Sequence, residues 1–509
     1  MQRSKFARLC AIGASLTLIL AACGGDDSAE STATAEATAT ATAEDTATAE
    51  ATATAEDTAT AEATATEEST APSEDTATAD GGDLDATYGA GAAAFQAAIT
   101  ATEGAPLVAE GDPFVISMPN LEGDAGGSFP DFREGAEAAV KLINERLGGI
   151  GADYAAGTPG RPLQLNMCSH GLTPEAAQAC ANQVAGDNPN LVAVGIDFFS
   201  PVMFPVFQQF PMIQMLPIFV SDYVQPGSYS AIGGCPTAFF GGANYLAMAG
   251  HDKVAVMYSD NAPGQGCWSD TTERPLKHLA ADSGMEFQGY ANLPGDPSDD
   301  AAQFQSIASF LEGATNPAVF FSVQSTDCVE FIKGLRAAGV EAQLVLGSAC
   351  VDDTVKSLPE TTGAIVEFQS YNPDGDLDEY QTWELGVRAD AIADLGPEAA
   401  VSTFMEDSFG SILWSWQIAN YMVDNGDDPF DPAAYAETLS TLPPFHFVGR
   451  PSVDCGGNPA EYPAICYRKS TWLAWDGSSF QAEATLNGEF FDLTDLMVAV
   501  AESNPRSAG

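Results

Sequence analysis

The chain has 509 residues and sets 18 Lys and Arg against 71 Asp and Glu, for a formal net charge of -53. That length exceeds what one ordinary core organises and points to more than one domain. So few cations exclude a phosphate-tracking surface, because nucleic-acid affinity needs clustered Lys and Arg that displace counterions, while a hydrophobic share of 45% with 28 Phe and 6 Trp excludes a chain disordered throughout.

In chain order, Arg3, Lys5 and Arg8 precede an apolar run over residues 9–20. The run is too short to span a bilayer and reads as the middle of a secretory signal occupying 1–22. It closes on Leu20-Ala21-Ala22-Cys23 with Gly24 and Gly25 behind, which resembles the bacterial lipoprotein box. The resemblance implies acylation of Cys23 and a chain held on the outer face of the cell membrane. From 26 to 80 the composition collapses to Ala, Thr, Glu and Asp with four Ser and one Pro, and residues 42–53 recur unchanged at 54–65. Fifteen acidic side chains, no basic one and no large apolar one stand there, so nothing offsets the entropy of ordering it. The segment 23–83 is expected to be an extended tether, reaching on the order of 40 Å from a membrane by random-coil scaling. The remainder keeps 15 basic and 56 acidic residues, a charge that reads as solubility or salt tolerance, or as attraction for a cationic ligand.

Beyond the tether a lead-in segment, 84–110, carries Phe95 and Ile99 and reads as one helix ending near Thr102. Apolar runs then alternate with amphipathic stretches. Residues 114–118, 163–167, 191–196 and 212–216 read as buried strands. Between them 132–147 places Ala136, Ala139, Val140 and Ile143 at helical spacing, and 174–184 opens with Thr173 as N-cap and Pro174 at the first helical position. This βα alternation predicts a parallel sheet between helices. The pattern repeats with a helix around Tyr245, a strand at 254–258, a helix at 268–282, a strand at 287–291, a helix at 304–311 and strands at 318–323 and 343–346. From about Glu367 the segments read as mainly helical, with a long helix at 404–422. Asp476-Gly477 between 471–475 and Phe480 signals a hairpin, and a final helix is expected near 493–501.

Ten cysteines are present; Cys10 leaves with the signal and Cys23 carries lipid, so eight remain in an exported chain. An even number outside the cytoplasm indicates disulfides. Nearest neighbours give Cys168 with Cys180, Cys235 with Cys267, Cys328 with Cys350 and Cys455 with Cys466. No C-x-x-C pair or Cys/His cluster suggests zinc, so no metal and no cofactor is expected.

The order of elements and several phrases resemble the type I periplasmic binding proteins, specifically the leucine/isoleucine/valine-binding family of ABC transporter substrate-binding proteins. The phrases are Phe132-Arg-Glu-Gly-Ala-Glu-Ala-Ala-Val-Lys-Leu-Ile-Asn144 with Gly148-Gly149 after it, Gly160-Arg-Pro-Leu-Gln-Leu165, Thr173-Pro-Glu-Ala-Ala177 and Phe331-Ile-Lys-Gly-Leu-Arg-Ala-Ala-Gly339. The resemblance covers roughly 113–502. It implies an α/β fold of two doubly wound parallel-sheet lobes joined by a three-crossover hinge, lobe 1 over 111–236 and 368–450 and lobe 2 over 237–367 and 451–503. It also implies a monomer that closes on a small-molecule ligand, a branched-chain amino acid or related amino acid or amide, and delivers it to ABC permease subunits. The same fold without transport would be a tethered small-molecule sensor.

Ligands of open α/β sheets bind at the carboxyl ends of the strands, and the family's contact loops map there. Phe129 either walls the cleft or packs beneath its loop. Phe199 and Ser200 match a serine-bearing loop that holds a ligand carboxylate, and Asp197 either meets a cationic group or serves locally. Val220 and Ser221 fall where a backbone group and a hydroxyl orient an amino acid, beside Asp222. Pro263, Gln324 and Ser325 stand where the family places aromatic contacts. Ala349 stands where a glutamate would bind an α-ammonium, so Asp197, Asp222 and Asp327 are candidate replacements. A Cys328–Cys350 bridge would brace the cleft rim. Catalysis is not expected: Walker A, H-E-x-x-H and G-x-S-x-G patterns are absent, and His170, His251, His278 and His446 stand in dissimilar contexts, as surface or structural histidines.

Overall fold

The computed structural model describes residues 81–124, 127–225, 227–292, 297–322, 325–351, 353–396 and 402–506; the signal, Cys23 and the tether as far as residue 80 lie outside them. The lead-in segment is two helices rather than the expected one, α1 (Gly81–Tyr88) and α2 (Ala92–Thr102). Gly89 and Gly91 between them have φ of 101° and 92°, the left-handed region that a continuous right-handed helix cannot contain. α2 buries Phe95, whose ring stacks 5.6 Å from that of His446.

The first sheet grows from β1 (Phe114–Leu121), α3 (Pro130–Glu145), β2 (Leu163–His170), α4 (Pro174–Asp187), β3 (Leu191–Val194), α5 (Ser200–Phe207), β4 (Met212–Gln214), α6 (Val220–Tyr223) and β5 (Ser228–Tyr229). Its strands are all parallel in the order β2-β1-β3-β4-β5. Every residue of β3 is buried, which explains its unbroken apolar run: helices cover both faces. Thr173 caps α4 as its sequence suggested, its hydroxyl accepting the Ala176 N–H at 3.2 Å.

The second sheet follows with α7 (Gly234–Met248), β6 (Lys253–Ser259) and α8 (Ala262–Gly266). A π-helical stretch, Cys267–Thr272, leads into α9 (Glu273–Ser283), β7 (Glu286–Asn292), α10 (Pro297–Leu311), β8 (Pro317–Ser322), α11 (Ser325–Ala337), β9 (Gln343–Leu346), α12 (Asp353–Lys356) and β10 (Ile365–Phe368). The chain then adds α13 (Glu379–Ala393), α14 (Thr403–Asn425), α15 (Pro432–Thr441) and a separate two-stranded ribbon of β11 (Phe445–Phe447) with β12 (Arg450–Val453). It ends with β13 (Lys469–Trp475), β14 (Phe480–Ala482), β15 (Phe491–Asp492) and α16 (Thr494–Ser503). The order is β14-β13-β10-β9-β8-β6-β7, with β15 also paired to β13. β6 to β10 run parallel and β13 is antiparallel to β10.

The stretch from Glu367 is therefore less helical than its pattern suggested. Glu367 interrupts the apolar run of β10 and hides it as a strand, and β11 and β12 are too short to show alternation. The hairpin at Asp476-Gly477 is present, joining β13 to β14. α14 is buried on nearly all sides, because α3 lies directly against it: a Cβ at Gly135 would meet the Met405 carbonyl oxygen at 2.1 Å and Ser408 Oγ at 2.2 Å.

Three connections join the sheets and are bonded to one another. Gly233 N–H donates to Gln369 Oε1 at 3.0 Å. Tyr371 N–H donates to the Gly449 carbonyl at 2.9 Å, Ser230 N–H to Ala464 at 2.7 Å and Cys466 N–H back to Ser230 at 3.0 Å. Four disulfides follow the nearest-neighbour pattern, Cys168–Cys180, Cys235–Cys267, Cys328–Cys350 and Cys455–Cys466.

Candidate solute-binding site

Parallel strands end at one edge of each sheet, and the loops leaving that edge of the first sheet carry most of the expected contacts. β3 leads to Asp197, Phe198, Phe199 and then α5. Asp197 is 3% and Ser200 1% exposed. Asp197 Oδ1 accepts the Phe199 N–H at 2.7 Å, an Asx turn that aims the chain into the helix. Ser200 Oγ donates to Asp222 Oδ1, bringing together two residues that sequence alone places in different loops. The other Asp222 oxygen accepts the Ile218 and Phe219 N–H groups at 2.7 and 2.8 Å, and Ser221 Oγ lies 3.4 Å from Oδ1. Burial lifts the Asp197 carboxyl to about 7, against the pull of the Phe199 N–H and with a smaller push from Asp222. Burial likewise lifts Asp222 to about 6, although Ser200, Phe219 and Ile218 donate to it.

Aromatic rings border this acidic floor. Phe129 is half-buried at the start of α3, 6.0 Å edge-on from Phe198 and 5.9 Å from Phe404, and Phe198 meets Phe219 at 6.3 Å. Phe199 stands 6.4 Å from the ring of His170. Val220 is exposed. His170 is 4% exposed, so the surface alternative fails for it; its Nε2 lies 3.7 Å from Asp197 Oδ1. His446 and His251 are buried too, His446 against Glu384 at 2.8 Å.

The corresponding edge of the second sheet is less fully described. Asn261 caps α8 by accepting the Gly264 N–H at 2.8 Å, and Pro263 is buried behind it. Gln324 lies outside the described residues; Ser325 opens α11, but its side chain and that of Asp327 lie outside as well. Ala349 sits in the tight turn Ser348–Cys350 after β9. An acid does stand beside that turn, from the neighbouring strand: Glu367 Oε2 accepts the Ser348 N–H at 3.4 Å, and Glu367 is fully buried. Burial raises its carboxyl above the usual range. Sequence reasoning passed over Glu367, and the available signal was an acidic residue inside the apolar run 364–368.

Several buried polar atoms at these edges lack a hydrogen-bond partner among the described residues. They are His170 Nε2 and Asp197 Oδ2 on the first sheet, and Asn292 Oδ1, Ser322 Oγ and Glu367 Oε1 on the second. Buried polar groups are normally satisfied, so these atoms stand out as open to a further hydrogen-bonding group. All but Ser322 present acceptors.

α6 reaches from this site to the other sheet. Tyr223, next to Asp222, donates to Asp270 Oδ2 at 2.5 Å. Asp270 also takes both arms of Arg506, at 2.7 and 2.9 Å, and Arg274 at 3.0 Å. Burial opposes ionisation of Asp270, yet Arg506, Tyr223 and Arg274 together hold its carboxyl below the ordinary value.

The periplasmic binding protein family model matches residues 119–462. No curated protein matches the chain. Among solved structures, an ABC transporter substrate-binding protein from Sphaerobacter thermophilus is 16% identical with a TM-score of 0.57, over 71% of this chain and 93% of that one. One from Desulfitobacterium hafniense in complex with Leu is 18% identical, TM-score 0.53, over 73% and 99%. A fatty acid ABC transporter substrate-binding protein from Thermomonospora curvata is 12% identical, TM-score 0.57, over 77% and 97%. Identities this low carry the fold alone; the match of the family model over most of the chain carries the membership. The chain belongs to the periplasmic binding protein family, a solute-binding family, and its parallel-sheet lobes have the type I fold.

Proposed function

We propose that this protein is an extracytoplasmic solute-binding lipoprotein of an ABC importer, anchored through Cys23 and carried on the tether of 23–83. It takes a small solute bearing an amino or amide group, a branched-chain amino acid or a relative of one, into the crevice between the sheets, closes on it by hinge motion and presents the closed form to a permease. In this reading lobe 1 is 111–236 with 368–450, and lobe 2 is 237–367 with 451–503. The observation that carries it is the set of buried, unpartnered polar atoms at both strand edges, on Asp197 and His170 of the first sheet and on Asn292 and Glu367 of the second. Buried acceptors without donors cost about 1–3 kcal/mol each, and a donor-rich solute recovers that cost on closure. Glu367 supplies a buried acceptor beside Ala349, which has none. The family resemblance and a solved relative in complex with Leu point the same way. Small-angle scattering of the oxidised protein tests it: leucine or leucinamide should lower the radius of gyration, and an unchanged radius with every amino-bearing solute would contradict it.

A further inference from the structure

His170 ends β2, and its Nδ1 lies 3.2 Å from the Gly171 carbonyl. A carbonyl only accepts, so Nδ1 carries the ring proton and Nε2 presents a lone pair. That lone pair faces Asp197 Oδ1 at 3.7 Å, and Oδ1 already takes the Phe199 N–H. Asp197 Oδ2 has no hydrogen-bond partner among the described residues. With Asp197 ionised, two acceptors, both more than nine-tenths buried, thus stand together with no donor between them. The Phe198 and Phe199 N–H groups turn to Asp197 itself, and the other donors of the loop are engaged. Ser200 gives its one proton to Asp222. In the first turn of α5, Pro201 has no N–H, and the Val202 and Met203 N–H groups close on the Phe199 carbonyl at 2.8 and 3.2 Å. A solute carboxylate brought to this loop would meet lone pairs and a second acid, Asp222, instead of the hydroxyl and free N–H groups that Ser200 and a helix start suggest. The Cys168–Cys180 bridge two residues before His170 ties the end of β2 to α4 and fixes the imidazole's place. The Phe199 ring beside it adds an aromatic surface of the kind that favours a cation.

We propose that His170 and Asp197 form the subsite for an N–H-bearing group of the solute, an ammonium or a primary amide, and that this end of the crevice rejects a carboxylate. The inference rests on the solute-binding reading above and assigns its orientation: the donor end of the solute lies on the first sheet. Titration calorimetry of the full oxidised chain with leucine, leucinamide, isoamylamine and isocaproate tests it. Leucinamide or isoamylamine should bind and isocaproate should not. Asp197→Asn turns one acceptor into a donor, so it should weaken the amine-bearing probes by about tenfold or more and improve isocaproate, a reversal that a merely structural role would not produce. If Asp197→Asn does not fold, the ranking of the four probes on the unaltered protein decides alone. Binding of isocaproate but of neither amine probe would overturn the subsite and leave the solute-binding reading standing. Equal affinity of Asp197→Asn and the parent for the amine probes would do the same. Silence from all four would count against both.

Discussion

Asp197 and Asp222 are buried acids of neighbouring loops, and their burial makes stability depend on pH in an unusual sense. Their carboxyls titrate near 7 and 6 in the folded chain, against about 3.9 unfolded. The folded state therefore holds more protons across that window, so its stability falls as pH rises through the folded values. Between pH 8 and 6.5 the unliganded protein is expected to gain stability on acidification, about 1 kcal/mol, read as a rising thermal midpoint. Below about 6.5 His170 and His251, kept neutral by burial, work in the opposite direction. Asp197→Asn should flatten the rise; a midpoint that falls from pH 8 to 6.5 would contradict the burial of these acids. Ser200→Ala removes a donor from buried Asp222 and should cost about 1–3 kcal/mol in urea unfolding. At this scale the sequence located the loops at the strand ends, because those ends can be read from apolar runs. It could not show that Ser200 spends its proton on Asp222, since that bond joins loops 22 positions apart. Nor could it distinguish His170 from a surface histidine.

At the scale of elements, two contacts hold the site in place. α3 and α14 approach so closely at Gly135 that a methyl group would strike the backbone of Met405. Gly135→Ala is expected to force the helices apart and cost about 1–3 kcal/mol, measurable as a lower urea midpoint with the far-ultraviolet circular dichroism retained. α6 carries the site's Asp222 on one side and Tyr223 on the other. Tyr223 reaches Asp270, which the chain's last described residue, Arg506, grips with both arms. Arg506→Ala should cost about 1.5–3 kcal/mol, as a charged hydrogen bond does, and raise the Asp270 carboxyl; unchanged stability would show that Arg274 alone suffices. Helices were legible wherever spacing and caps agreed, as at Thr173-Pro174. The break at Gly89 and Gly91 was not, because apolar spacing ran through it, and the strand at Ile365–Phe368 was masked by the buried Glu367 it carries.

Across the whole molecule, alternating βα units predicted two parallel sheets, and the residues that join them are the ones composition describes least. Gly233, Gln369, Gly449, Ser230 and Cys466 tie three connections into one set of hydrogen bonds, a geometry set by long-range pairing instead of local preference. In the proposed reading, a solute that supplies donors to the buried acceptors of the two sheet edges stabilises the folded chain by mass action. The direct measurement is the thermal midpoint of the oxidised protein against amino acids, their amides, amines and simple carboxylates. At about 1,000 times the dissociation constant a true ligand adds about 4 kcal/mol, a shift plainly visible in the melt. The account predicts a rise with solutes that carry an amino or amide group and none with simple carboxylates; a rise with carboxylates alone, or with no solute, would contradict it.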